Sequence, residues 1–317
     1  MSSIFGKLFT LTSWGESHGK AIGAVVDGCP AGLFLSEGDI QPFLDRRRPG
    51  QSPLTTQRKE SDAVKILSGV FEGKTTGSPI SLIVENADHR SADYEQIKDW
   101  YRPGHADEVY DSKYGFRDYR GGGRSSARET IARVAAGSIA RKFLHEKCGT
   151  EFNARVSAVG NAELGAVENA RKNGDSVGGV ISLIIKNPPK NLGEPVFERA
   201  EALLAMAMMS IPATKGFEIG EGFGAAKMLG SEHNKLGENH AGGVYGGITS
   251  GEDIFCRIAF KPTPSISQMQ KAKNKNGEIG EISIKGRHDP CVAVRAPVIV
   301  ESMAAMVLMD LWLQNGK

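Results

Sequence analysis

The sequence predicts one α+β or layered α/β/α body, and three observations carry that expectation. Residues 80 to 85 ("ISLIVE"), 179 to 186 ("GVISLIIK") and 254 to 260 are short apolar, β-branched runs bounded by Gly, Pro or Asn, as strands are. From Ser126 onward Ile131, Val134, Ala135, Ile139 and Phe143 share one stripe at helical spacing, which makes a helix of roughly four or five turns. No fixed-period repeat or low-complexity linker divides the 317 residues, so 1 to 317 is read as one domain with unusually long loops between elements.

The elements follow in chain order. Ser36 opens a helix in which Ile40, Phe43 and Leu44 recur at helical spacing, and Pro49-Gly50 ends it. Arg46, Arg47 and Arg48 then fall in its last turn, where the negative end of the helix dipole suits them; a structural role and an anion-binding role both fit. Ser126-x-x-Glu129 reads as a capping box at the start of the long helix. Two further helices are expected at 198 to 209 and 301 to 313, with Met206, Met208 and Met209 filling core, and a further strand at 282 to 284.

Composition narrows the function classes. With 40% apolar residues the chain can bury a sizeable core. A net charge of only +2 argues against a domain whose whole surface is a nucleic-acid footprint. Cys29, Cys148, Cys256 and Cys291 include no Cys-x-x-Cys pair, so neither a disulfide framework nor a zinc ribbon is indicated. No helical His-x-x-x-His pairing supports a metal site, and none is expected. The opening residues lack a basic start with an unbroken apolar stretch, and the apolar C-terminal run carries Glu301 and Asp310. A cytoplasmic location without membrane contact is therefore expected.

Positive charge gathers where glycine does, with seven arginines from Arg102 to Arg141. In "YRGGGRSSARET", residues 119 to 130, glycines allow close approach to a ligand and a helix start offers unpaired N–H groups. An anion could be held there by amides, hydroxyls and Arg124, the alternative being a helix cap with solvated arginines. It is not a Walker loop. His105 sits in a Pro-Gly loop and His18 in "WGESHG", both placed to titrate near neutrality, and "KGRHDPC" sets His288 beside Asp289. In "FKPTPSI" Pro262 and Pro264 stiffen a strand exit that can present Lys261, Thr263 and Ser265 to phosphate or ribityl oxygens; an ordinary strand exit is the alternative.

Six segments in this order resemble the chorismate synthase family: "GESHG" at 15 to 19, "DRRRPG" at 45 to 50, "RPGHAD" at 102 to 107, "KYGFRDYRGGGRSSARET" at 113 to 130, "NHAGGVYGGITSG" at 239 to 251 and "GRHDPC" at 286 to 291. The resemblance spans nearly the whole chain. It implies conversion of 5-enolpyruvylshikimate 3-phosphate to chorismate and inorganic phosphate by 1,4-anti elimination, using reduced FMN without net redox change. It implies a β-α-β sandwich with central helices between antiparallel sheets, and a homotetramer. It places His18 near the leaving phosphate as a proton donor, His105 near the flavin as a cationic imidazole, and Asp289 as an aid to proton removal through flavin N5. Arg47, Arg102 and Arg128 are the implied substrate-anion ligands. Arg124, Ser125, Ser126, Ala213, Gly246, Lys261, Pro262, Thr263, Pro264, Ser265 and Arg287 are the implied FMN contacts. Pro212 stands where the family commonly has asparagine.

Two connections, 159 to 179 and 229 to 243, are shorter than the resemblance implies. Either these loops are truly compact, or segments are missing from them and neighbours around 161 to 165 and 234 to 239 are not bonded neighbours. No added reductase domain is visible, so an external flavin reductase or other source of reduced FMN is expected, with an NADPH site in the core left open. Two rivals come from other classes. An RNA-binding module would use Arg46 to Arg48 and the Arg/Gly-rich loop, and a phosphoryl-transfer enzyme would use the same loop with a divalent metal.

Overall fold

The computed structural model describes residues 3–50, 60–87, 94–95, 97–161, 165–284 and 289–316. Two antiparallel sheets enclose a layer of helices. The first contains β1 (Ile4–Phe5), β2 (Thr10–Gly15), β3 (Ala21–Asp27), β4 (Val64–Ile66) and β7 (Ile80–Glu85), in the order β1-β2-β3-β7-β4. A ribbon of β5 (Val70–Phe71) and β6 (Lys74–Thr75) leads into β7. The second sheet contains β9 (Glu151–Val159), β10 (Gly179–Lys186), β11 (Thr214–Ile219) and β14 (Ile254–Phe260), in the order β11-β14-β10-β9. A small sheet of β8 (Trp100–Tyr101), β15 (Gln270–Asn274) and β16 (Ile279–Ile282) has its own apolar cluster, and β12 (Val244–Tyr245) pairs with β13 (Ile248–Thr249).

Seven α-helices are described: α1 (Glu37–Arg47), α2 (Asp107–Tyr114), α3 (Thr130–Cys148), α4 (Ala166–Lys172), α5 (Ala200–Met209), α6 (Gly230–His233) and α7 (Pro297–Gln314). Helix α3 packs on β2, β3 and β7, α7 packs on β9 and β10, and the two helices lie against each other. One apolar core runs from Phe9 and Ile22 through Ile139 and Met306 to Leu183 and Ile258. This is the implied β-α-β sandwich.

The middle layer explains the composition of α7, which is buried without interruption from Val298 to Leu311. A helix apolar on every side belongs inside a fold. By length and composition α7 could cross a membrane, but 78% of it is buried within the protein. Its two carboxylates are tying points. Glu301 accepts hydrogen bonds from Arg46 (2.8 and 3.0 Å) on α1, Arg141 (2.5 Å) on α3 and the Ala154 amide (2.9 Å) on β9. Asp310 accepts the backbone amides of Lys7, Leu8 and Phe9 at 2.7 to 3.1 Å.

Several local expectations are corrected. The long helix begins at Thr130, after 3-10 turns at Gly123–Ser125 and Ala127–Glu129. Ser126 Oγ accepts the Arg128 amide rather than that of Glu129, and Glu129 turns forward to Arg133 Nε at 2.9 Å, so the expected capping box does not form there. A guanidinium one turn ahead is the stronger donor for that carboxylate. Ser36 instead uses Asp39, which accepts both its amide (2.8 Å) and its hydroxyl (2.9 Å). Only Met208 fills core; Met206 and Met209 are 54% and 46% exposed, because α5 turns one face to α7 and β11 and the other outward. The strand expected at 282 to 284 lies at Ile279–Ile282, and α7 starts at Pro297 rather than 301. In the connection at 229 to 243 the His233 amide donates to Leu229 O, Asn234 to Gly230 O and Glu238 to Lys235 O at 2.9 to 3.2 Å. The other junction, at 162 to 164, lies outside the described residues.

Candidate active site

The turns and ends that meet at one edge of the sandwich enclose a cavity of about 360 Å³. His18 enters on the β2–β3 turn, which Asn86 Nδ2 holds through Glu16 O (3.0 Å) and Gly19 O (2.8 Å). Arg47 arrives from the last turn of α1, Arg128 from the turn before α3, and Arg102 and His105 from the loop between β8 and α2. Ala213 precedes β11, Lys261 to Ser265 leave β14, and Asp289 precedes α7. His18, His105 and Asp289 all line this cavity, with Arg47, Arg102 and Arg128. So do Ser125, Ser126, Ala213, Lys261, Thr263, Pro264 and Ser265.

Two of the three glycines of the Arg-rich loop are explained by the histidines. Gly121 has φ +63°, and a Cβ there would stand 2.1 Å from His18 Cε1; Gly122 has φ +84°, and a Cβ would stand 2.9 Å from His105 Cε1. A side chain at either place would push an imidazole out of position. The loop therefore threads between the two histidines. Its anion cradle is not built as expected, since Ser125 Oγ donates to Gly122 O at 2.7 Å and the Ser125 and Ser126 amides bond back within the loop.

Three consecutive arginines end α1, and a helical turn of about 100° per residue sends each a different way. Arg46 reaches Glu301, Arg48 stays with Asp45 on the surface, and Arg47 enters the cavity. Arg47, Arg102 and Arg128 are only 4%, 5% and 4% exposed, which withdraws them from any RNA surface. Their counterions were not singled out from the sequence. Asp62 lies 3.1 Å from Arg128 Nη1 and 3.6 Å from Arg47 Nη1, and Glu60 lies 3.6 Å from Arg128 Nη2. Asp107 receives Arg102 Nε and Nη2, both at 2.8 Å. Burial pushes the Arg47 guanidinium down to about 10; Asp62 works against the fall, and the charges of Arg295 and Arg128 add to it. Such crowding of cations favours an anion between them.

Arg295 is a cavity residue that sequence reasoning missed. It forms an ion pair with Asp289 and donates to Arg47 O at 3.2 Å. Its place one turn of chain beyond the "GRHDPC" segment gave no motif signal. Arg47 Nη1, Arg295 Nε and Thr263 Oγ1 are buried without a hydrogen-bond partner among the described residues. Buried donors left over in this way fit a ligand with several anionic or polar oxygens.

His18 is buried, with its Nδ1 2.9 Å from Ser17 Oγ and its ring edge-on to Tyr94 at 5.3 Å. Burial pushes the His105 pKa down, the Asp107 hydrogen bond opposes this, and Arg102 and Lys261 lower it further. Three implied FMN contacts lie off the cavity. Arg124 turns to Ser13 Oγ (2.6 Å) and Gly15 O (3.1 Å), because carbonyls at the end of β2 attract its guanidinium. Gly246 sits in the β12–β13 turn, and Pro262 is not among the lining residues. Arg287 lies outside the described residues.

Residues 9–313 match the family model described as chorismate synthase. A chorismate synthase of Christiangramia forsetii is 52% identical over 347 aligned positions, covering 98% of this chain and 97% of that protein. One from Lachnospira eligens is 51% identical over 350 positions, covering 99% and 95%. Both alignments are longer than the 317 residues of this chain, so each contains positions that this chain lacks. A crystal structure of chorismate synthase superposes with a TM-score of 0.75 at 31% identity, covering 98% of this chain and 93% of the other. The motif order, the sandwich and the cation-lined cavity therefore have one common explanation: this chain belongs to the chorismate synthase family.

Proposed function

We propose that this cavity binds 5-enolpyruvylshikimate 3-phosphate beside reduced FMN and releases chorismate and inorganic phosphate. Family membership makes the chain a carbon–oxygen lyase of aromatic biosynthesis. The observation that carries the site assignment is the convergence of three buried arginines with His18, His105 and Asp289 on one cavity. The substrate carries two carboxylates and a phosphate, and fixed guanidinium groups bind such oxygens bidentately. Arg47, Arg102 and Arg128 are assigned to them.

The unpartnered Thr263 Oγ1 and Arg295 Nε give a polar ligand something to satisfy, so the wall from Lys261 to Ser265, with Ser125, Ser126 and Ala213, fits the flavin. Reduced FMN, when bound, supplies electron density transiently to the substrate ring. The protein supplies the rest. The arginines neutralise the charge on the departing phosphate, whose C3–O bond breaks, and His18 gives that phosphate a proton. Asp289, its carboxylate held by Arg295, takes up the proton lost from C6. Burial excludes water and oxygen while the ring is electron-rich.

Further parts of the proposal are that the whole chain acts as one catalytic domain in the cytoplasm and that FMN is reduced from outside. A homotetramer, in which Arg124, Gly246 and Arg287 meet flavin, completes it. One anaerobic mixture of protein, dithionite-reduced FMN and the enolpyruvyl substrate tests the reading: chorismate absorbance should grow, and phosphate should appear in equal amount. His18→Ala should lower the rate by about 10² or more with an unchanged circular dichroism spectrum. Absence of chorismate from folded wild-type protein would reject the function, and full activity of His18→Ala would reject the proton donor.

A further inference from the structure

We propose that Asp107 is a positioning residue that holds His105 as the Nδ1–H tautomer, so that the imidazole offers an unprotonated Nε2 to the bound ligand. This deepens the reading of the cavity as the chorismate-forming site and rests on it for the ligand's identity, though not for the tautomer.

The geometry begins in the sequence of the loop. Between β8 and α2 the chain runs Arg102-Pro103-Gly104-His105-Ala106-Asp107. Gly104 has φ +68°, and the His105 amide donates to Arg102 O at 3.1 Å, so the chain doubles back within six residues. Lys261 Nζ pins the turn from β14 through Gly104 O at 2.6 Å. Arg102, His105 and Asp107 are thereby brought side by side. Asp107 is the first residue of α2, where the helix dipole favours a carboxylate, and it is 3% exposed.

Asp107 is saturated with donors. Oδ2 accepts Arg102 Nε (2.8 Å) and the Arg102 amide (3.1 Å); Oδ1 accepts Arg102 Nη2 (2.8 Å) and stands 3.0 Å from His105 Nδ1. Arg117 Nη1 adds charge at 3.4 Å from Oδ1. Although burial raises its pKa, the hydrogen bonds from Arg102 and His105 hold Asp107 well below the usual carboxylate range. It is therefore an acceptor and nothing else.

A contact of 3.0 Å between that oxygen and Nδ1 requires a proton on Nδ1. The competing arrangement is present in the same triangle: Arg102 Nη2 stands 3.1 Å from Nδ1 and could donate to it if that nitrogen were bare. The carboxylate decides between them. The charged groups facing His105 are Arg102 and Asp107 from its own loop and Lys261 from β14. The two cations oppose a second proton, so Nε2 stays a lone-pair acceptor. Among the described residues the hydrogen bonds of the His105 ring are made through Nδ1, which leaves Nε2 for an N–H or O–H of the ligand.

The tautomer can be read in the ligand-free protein by nitrogen NMR of a ¹⁵N-histidine sample at pH 7.5, with His105 assigned through His105→Gln. Protonated Nδ1 and bare Nε2 in the wild type support the proposal; the opposite tautomer overturns it, whether or not chorismate forms. Asp107→Ala removes the acceptor and leaves Arg102, so the proton should move to Nε2 as Nη2 donates to Nδ1. Asp107→Glu should restore much of the wild-type pattern. With reduced FMN and the enolpyruvyl substrate, Asp107→Ala should lower kcat on the order of 10²-fold, more than KM changes. An Asp107 that merely tethered Arg102 would raise KM and leave the His105 nitrogens unmoved, and that result would overturn the assignment.

Discussion

Asp62 is asked to do two unfavourable things at once. Its backbone adopts φ +46°, a conformation that costs a residue with a Cβ about 1 to 2 kcal/mol, and its carboxylate is wholly buried between Arg47 and Arg128. Both follow from the need to keep two guanidinium groups together in a cavity. Asn tolerates the same backbone, so Asp62→Asn removes the charge and little else. We expect that variant to lose about 3 kcal/mol of stability in urea, since two buried cations are left facing each other, and to recover part of it when inorganic phosphate is added. An unchanged urea midpoint would show that the carboxylate does not balance the pair. The arginines and histidines of the site were legible because loop residues in Gly-rich motifs stand out. Asp62 and Glu60 were not, because their meaning lies in pairing across 15 or more residues of chain, which only the tertiary fold reveals, and Arg295 was not, because it belongs to no motif.

Where elements meet, α3 and α7 approach closely. A Cβ built on Gly137 would stand 2.4 Å from Ser302 Cβ, 2.5 Å from its Cα and 2.6 Å from its carbonyl oxygen. Two opposed effects act on Gly137→Ala. Helix propensity favours alanine by about 1 kcal/mol, whereas overpacking against backbone costs typically 1 to 3 kcal/mol. The clash is with main-chain atoms that cannot swing aside, so the second effect should win. The variant is expected to unfold at lower denaturant than the wild type, and a higher midpoint would mean that the helices can part without loss. Elements with strong patterns, such as β7, β10, β14 and the body of α3, were readable from periodicity alone. Strands β2, β3, β9 and β11 were not. β9 alternates buried and partly exposed residues only weakly, and β3 carries Gly23, against which the Trp14 ring lies; their strand character comes from the partners beside them. The N-terminal limit of α3 was misplaced because an ion pair to Arg133, not a cap, decides what Glu129 does.

At the scale of the whole molecule, groups withdrawn from water in the cavity and in the core couple folding to pH on both sides of neutrality. His105 has its pKa lowered by burial in the folded state, so its contribution is complete above the unfolded value of 6.5 and is lost as pH falls below it. On the alkaline side the signs reverse. Burial pushes the Cys29 thiol up to about 11, with Thr75 opposing, and burial alone pushes Cys256 higher still. A thiol whose folded pKa is raised stabilises the fold fully below its unfolded value of 9.0, and that contribution disappears as pH rises through the folded value. Arg47, lowered to about 10, works in the opposite direction, but only above that pH. From pH 9 to 10 the thiols therefore contribute most, Cys291, also raised by burial, adding to Cys29 and Cys256. Urea unfolding there should show stability falling by about 1 kcal/mol per pH unit for each thiol, and Cys29→Ala/Cys256→Ala should flatten the slope while lowering the baseline through the cavities it leaves. A slope unchanged in the double variant would mean that the core admits a thiolate, and the sandwich would then be open to water where the packing says it is closed.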